Sequence, residues 1–179
     1  MSLIPWTSPR SWITGEVLTA ALLNLHLRDN LLFAGEPPRA RVRLTTTKTN
    51  IPGGSTVDVA PVTVDEDTAG AVNATNGTFT VPAGAGGLYL ITARMRSDNA
   101  SGTNGAGLLR ISLNGGLGQQ PALIQQAGAN TVETTGATML RLVAADIVKL
   151  QFTASGTTAN LSGVSNSYNT GFEITRLTV

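Results

Sequence analysis

From Arg41 onward, apolar and polar residues alternate with a period of two. Leu109, Ile111 and Leu113 are interleaved with Arg110 and Ser112, and Val148, Leu150 and Phe152 with Lys149 and Gln151. Phe79 and Val81 alternate with Thr78 and Thr80. Successive side chains of a strand point to opposite faces, so this pattern predicts half-buried β-strands. In 88–96, Tyr89, Ile91, Ala93 and Met95 share one face, and Leu88, Leu90, Thr92, Arg94 and Arg96 the other. That strand begins apolar on both faces and ends charged on one, a gradient expected of a strand that leaves a contact between subunits for solvent. Turn-rich clusters separate the alternating runs: Pro52-Gly53-Gly54, Ala69-Gly70, Asn76-Gly77, Ser97 to Gly105, Asn114-Gly115-Gly116 and Ser155-Gly156-Thr157. Many short strands at this spacing predict a sandwich or jelly roll. Asn114-Gly115 predicts a tight hairpin turn, because both residues tolerate positive φ.

Ahead of Glu36-Pro37-Pro38 the pattern is helical. Thr19 is a suitable N-cap, and Ala20 to Phe33 holds strong helix formers without Pro or Gly. Gly35 and the two prolines then stop the helix. Leu22, Leu25, Leu32 and Phe33 form one apolar stripe, and Leu23, Leu27 and Leu31 a second. A surface helix needs only one such stripe, so two predict contact with other chains. Trp6 and Trp12 lie upstream between prolines in a segment that reads as extended. They either insert into a groove elsewhere or staple back onto the chain's own helix. His26 is expected to be packed or interfacial, and Arg28, Asp29 and Asn30 to hydrogen-bond across neighbouring helices and fix their register. The chain therefore divides into 1–38, an extended arm plus one α-helix, and 39–179, a mainly β head.

Composition narrows the function. With 179 residues, 41% of them hydrophobic but only 13% charged and 4% aromatic, the chain suits one domain plus an appendage, in an assembly that hides surface against its own copies. A net charge of +1 with no basic run argues against nucleic acid as a partner. Cysteine is absent, so no disulfide framework or thiolate metal site can form. No signal-type segment opens the sequence, and Leu18 to Phe33 is too interrupted by polar residues to insert in a membrane. A single histidine cannot build an ordinary zinc site, Asp65-Glu66-Asp67 matches no calcium loop, and the glycine clusters open no phosphate-binding helix. No catalytic residue, cofactor or metal is expected, and no pair of carboxylates marks a polysaccharide-cleaving site.

Two resemblances add to this reading. Gly77-Thr-Phe79-Thr-Val81-Pro82, Gly87-Leu88-Tyr89, Asn114-Gly115, Leu140-Arg-Leu142 with Asp146-Ile147-Val148, and Gly171-Phe172 follow the order of motifs in the trimeric jelly-roll heads of complement-type and tumour-necrosis-factor-like proteins. The chain departs from that pattern where Ala145 stands in place of a glycine before Asp146, and where Gly84 to Gly86 lengthen a spacing. The run from Trp12 through Gly15-Glu16, Thr19-Ala20 and Leu23-Asn24 to Arg28-Asp29-Asn30 resembles a leader of tailed-bacteriophage virion proteins. Together they imply a single antiparallel jelly-roll sandwich, homotrimeric, with Phe79, Tyr89, Ile91, Phe152 and Phe172 in the head core or trimer contact. The leader would dock on other virion proteins or trimerise through Trp6, Trp12, Leu22, Leu25, His26, Asp29, Leu32 and Phe33. Candidate receptor loops carry Asp98, Asn99, Asn104, Asn166 and Tyr168, facing a host-surface glycan or protein. The expected role is a tail-associated fibre or knob of the virion, the alternatives being a capsid head-fibre or decoration protein and a glycan-binding adhesion module.

Overall fold

The computed structural model describes residues 7, 10–99, 106–116, 122–124, 132–155, 158–163 and 170–178. A helical segment comes first, made of α1 (Ala20–Leu23), a π-helical stretch (Asn24–Arg28) and α2 (Asp29–Gly35). The head then begins with β1 (Arg39–Leu44), β2 (Lys48–Pro52), β3 (Thr56–Asp58) and β4 (Val62–Asp67). β5 (Val72–Asn73), β6 (Thr78–Thr80), β7 (Gly87–Asn99), β8 (Ala106–Leu113) and β9 (Ala122–Ile124) follow. The chain closes with β10 (Val132–Leu142), β11 (Ile147–Ser155), β12 (Thr158–Leu161) and β13 (Gly171–Thr178).

All strand pairs are antiparallel and form two sheets. In the first, the order β4-β1-β13-β7-β10 is extended at the far end of β7 by β12 and β2. In the second the order is β5-β6-β11-β8-β9, with β3 beside β6 on the same edge of β11. The chain passes between sheets from β2 to β3, β3 to β4, β4 to β5, β6 to β7, β7 to β8, β9 to β10, β10 to β11 and β11 to β12. This is a mainly β, antiparallel jelly-roll sandwich, as the alternating pattern predicts.

The period-two runs decide which faces meet. Tyr89, Ile91, Ala93 and Met95 of β7, Leu109 and Ile111 of β8, and Val148, Leu150 and Phe152 of β11 are all at most 2% exposed. They join Phe79, Phe172 and Ile174 in one continuous core between the sheets. The five expected head residues Phe79, Tyr89, Ile91, Phe152 and Phe172 all lie in that core. Burial of apolar area on this scale is the main favourable term in folding. Tyr89 also donates its hydroxyl to Ala85 O at 2.6 Å, which satisfies the one polar atom that the ring carries inward. Burial pushes its pKa up to about 12.

Turn chemistry follows the residues at the turns. Asn114 and Gly115 both have positive φ, 52° and 78°, and Gly116 N donates to Leu113 O at 3.0 Å. Gly77, ahead of Phe79, has φ 63°, and a Cβ there would lie 2.4 Å from Val59 O, so no other residue fits. Asp146 accepts from Asn114 Nδ2 and from Val143 N, each at 2.8 Å. Those bonds, Asn114's first, hold its carboxyl below the usual carboxylate range.

Ala145, which replaces the glycine of the resembled heads, sits in the same turn with φ 71°. A left-handed conformation costs a non-glycine residue about 1–2 kcal/mol. Glycine would remove that cost and return about 0.4–1 kcal/mol of it through a freer unfolded chain. Ala145→Gly is therefore expected to raise the urea midpoint, a gain of up to about 1 kcal/mol at an unchanged slope. A lowered midpoint would show that the turn is not strained.

Candidate functional site

The leader is a hairpin of arm and helix, held by side chains that bind backbone. Thr19 caps the helix by accepting from Leu22 N at 3.3 Å. Ahead of it Gly15, at φ 82°, lets the arm turn so that Glu16 N donates to Ile13 O at 3.0 Å. The Glu16 carboxylate takes Ile13 N and pairs with Arg10. The Arg10 guanidinium lies over the Trp12 ring, 5.1 Å from its centroid. Trp12 meets His26 edge to face, with centroids 6.2 Å apart.

Asn30 closes the hairpin. Its Oδ1 accepts from Thr7 N at 3.0 Å, and its Nδ2 donates to Thr7 O at 2.8 Å and to His26 O at 3.3 Å. The amide thus pairs with arm backbone as a neighbouring strand would. The helix widens to π geometry over Asn24–Arg28, directly before the carbonyl-binding amide of Asn30; a side chain inserted in the ladder is a known cause of such irregularity. The regular α-helix expected over these residues is therefore interrupted. Within the chain, the polar trio expected to bridge neighbouring helices already has partners: Arg28 pairs with Asp29 at 2.7 Å, and Asn30 holds the arm.

Phe33 seats the helix on the head. It is 4% exposed, and the Arg176 guanidinium lies 4.5 Å from its ring centroid. Arg176 is itself only 5% exposed and donates from Nε and Nη2 to Gly86 O, at 3.1 and 2.6 Å. Burial pulls its pKa below the ordinary arginine value. Sequence reasoning missed Arg176, although the signal was present: it follows Phe172 and Ile174 on the inward face of β13. A cation at an inward position marks a place where something must cover it.

Several apolar side chains of the leader are exposed. Leu27 is 50% exposed and Leu31 71%, and Ile13, Val17, Leu18 and Leu25 are exposed as well. Leu22 is half-buried. Trp6, Asn104, Asn166 and Tyr168 lie outside the described residues, as do the side chains of Leu32, Asp98 and Asn99.

The outer face of the first sheet is the second surface to account for. Across β1, β4 and β13 it carries a ladder of ion pairs: Arg39–Glu66 at 2.6 Å, Arg43–Asp65 at 2.9 Å and Arg41–Glu173 at 3.2 Å. The acidic run 65–67 is thus engaged on its own chain, Asp67 accepting from the backbone of Ala69, Ala71 and Val72. Toward β7 and β10 the face becomes more apolar at the end near the helix, around an exposed Arg141 that lies opposite Leu88. Leu90 lies opposite Met139, which is 60% exposed, and Leu88 lies opposite Thr178 beside Leu177, which is 47% exposed. At the far end of β7, Arg96 pairs with Glu133 at 3.6 Å. The middle holds a depression of about 210 Å³ walled by Thr92, Arg94, Thr135 and Glu173. Among the described residues, no three or more His, Asp or Glu side chains gather where a metal could sit, and no helix is long and apolar enough to cross a membrane.

No protein-family model matches the chain, and no curated protein matches its sequence. Solved structures do match its fold. Murine APRIL at pH 5.0 superposes with a TM-score of 0.56 at 12% identity, over 78% of this chain and 98% of that one. The PRD1 vertex protein P5 superposes with a TM-score of 0.56 at 17% identity, over 78% of this chain and 96% of that one. The fold is thus that of tumour-necrosis-factor-like heads and of a phage vertex protein.

The hairpin makes a direct prediction. Asn30→Ala removes the amide that holds Thr7 and leaves the head untouched. Trypsin is expected to cut after Arg10 several-fold faster in this variant, while the thermal midpoint of the head stays in place. Equal cutting rates would mean that other contacts hold the arm.

Proposed function

We propose that the chain is a structural, non-enzymatic virion protein of a bacteriophage that assembles as a homotrimer. The jelly-roll head projects outward, and the leader attaches it to the particle. One observation carries this reading: at the end of the sheet face from which the leader departs, exposed Met139 and Leu177 adjoin half-buried Leu88 and Leu90, with exposed Arg141 opposite Leu88. Exposed clusters of this kind mark interaction surfaces. The heads that the sequence resembles are trimers, and the likeness in fold to a phage vertex protein fits a particle component. A tail-associated fibre or knob is the first location, because the leader motif resembles that of tailed-phage appendages. The likeness to a vertex protein favours the second, a fibre or decoration on the capsid shell.

Light scattering on the full chain at micromolar concentration is expected to give three times the chain mass. Met139 is exposed in the single chain, so Met139→Glu should change the stability of the head by less than about 0.5 kcal/mol. Across a closed interface it buries an unpaired charge, which costs about 2–5 kcal/mol and should shift the assembly to monomer. A monomeric wild-type protein, or a trimer indifferent to this substitution, would overturn the assignment of the surface. Antibody labelling of whole particles then separates the two locations, marking either the tail or the shell.

A further inference from the structure

We infer that the leucine row of the leader helix, Leu27 and Leu31, packs against the same row of the other two copies, so that the helices close the base of the trimer. This inference rests on the trimer proposed above and names what covers the leader. Leu27 and Leu31 are one helical turn apart and therefore share a stripe. Both are largely exposed, while Asn30 and Phe33 of the same helix are buried against the arm and the head. Among the described residues, the chain thus covers the Asn30–Phe33 side of its own helix and leaves Leu27 and Leu31 exposed.

The choice of occupant follows from continuity. Phe33 against Arg176, together with the bond from Arg176 N to Pro38 O at 3.0 Å, fixes where the helix meets the head. Leu177 is the next residue along β13; it sits at a break in the register between Arg176 and Thr178, is 47% exposed, and precedes Thr178, which pairs with Leu88 of the outward row. The apolar part of the proposed head contact and the base of the helix therefore lie at one end of the molecule. Three heads joined through that patch bring three helices out side by side. Charge does not oppose their approach, because Arg28 and Asp29 are the only charged residues of 20–35 and neutralise each other within the chain. The Trp12 side of the hairpin, outside this contact, is left for the particle.

The absence of cysteine allows a clean test. Leu31→Cys in the full chain is compared under mild oxidation with Thr14→Cys, which places the thiol on the exposed turn of the arm. Disulfide-linked pairs are expected to form roughly tenfold faster or more at position 31, at a rate independent of dilution, because chains in one assembly meet at millimolar effective concentration. A trimeric wild type in which position 31 links no faster than position 14, or only in proportion to concentration, overturns the inference and assigns the leucine row to another protein. A monomeric wild type overturns the trimer itself. As a second variant, Leu27→Glu with Leu31→Glu should shift the trimer–monomer midpoint on dilution by roughly tenfold or more, each buried like charge weakening association. An unchanged midpoint counts against the helix contact while leaving the head contact standing.

Discussion

A β-strand cannot hide both of its faces inside one two-layer sandwich, and β7 is where this constraint governs the molecule. Its inward residues Tyr89, Ile91, Ala93 and Met95 are sealed by the second sheet. Its edges are taken by β10 on one side and by β13 and then β12 on the other. What remains is the outward row, apolar at Leu88 and Leu90 and charged at Arg94 and Arg96. The neighbouring strand β10 sets Met139 beside Leu90, Arg141 beside Leu88 and acidic Glu133 beside Arg96. A surface graded in this way along a rigid strand is suited to a partner that sits at one end and leaves the other wet.

The leader obeys the same logic at smaller scale. Its motif residues are accounted for by contacts within the hairpin: Gly15 turns the arm, Glu16 and Thr19 bind backbone, Trp12 meets His26, and Asn30 pairs with Thr7. The segment is thus a small preformed unit seated on the head by Phe33, with the cost of ordering the arm offset before any partner arrives. A seated unit also has a direction. Because Phe33 and Arg176 fix the base of the helix, the exposed leucines are presented at a defined place relative to the apolar end of the first sheet.

Much of the head was legible before its coordinates. The alternation in 79–81, 88–96, 109–113 and 148–152 named the buried rows, since a period of two leaves no choice about which residues share a face. Asn114-Gly115 announced its turn, and the departure at Ala145 pointed to a backbone position that glycine suits better. The leader was legible as a helix with a cap and a stop. Its interior was not, because hydrophobic periodicity reports apolar faces and is silent about a polar side chain that binds backbone, as Asn30 does.

The sequence by itself determined the strand runs in 79–81, 88–96, 109–113 and 148–152 with their inward residues, the helix and its two apolar stripes, all of them local consequences of side-chain spacing. Only the tertiary structure decided how those stripes are used. It placed Phe33 over a buried arginine a hundred and more residues away, drew Asp29 and Asn30 into contacts within the chain, and left Leu27 and Leu31 in the open. The reason is that spacing fixes which residues point together, whereas the surface they meet is built from segments distant in the chain, and no local pattern encodes where those segments come to lie.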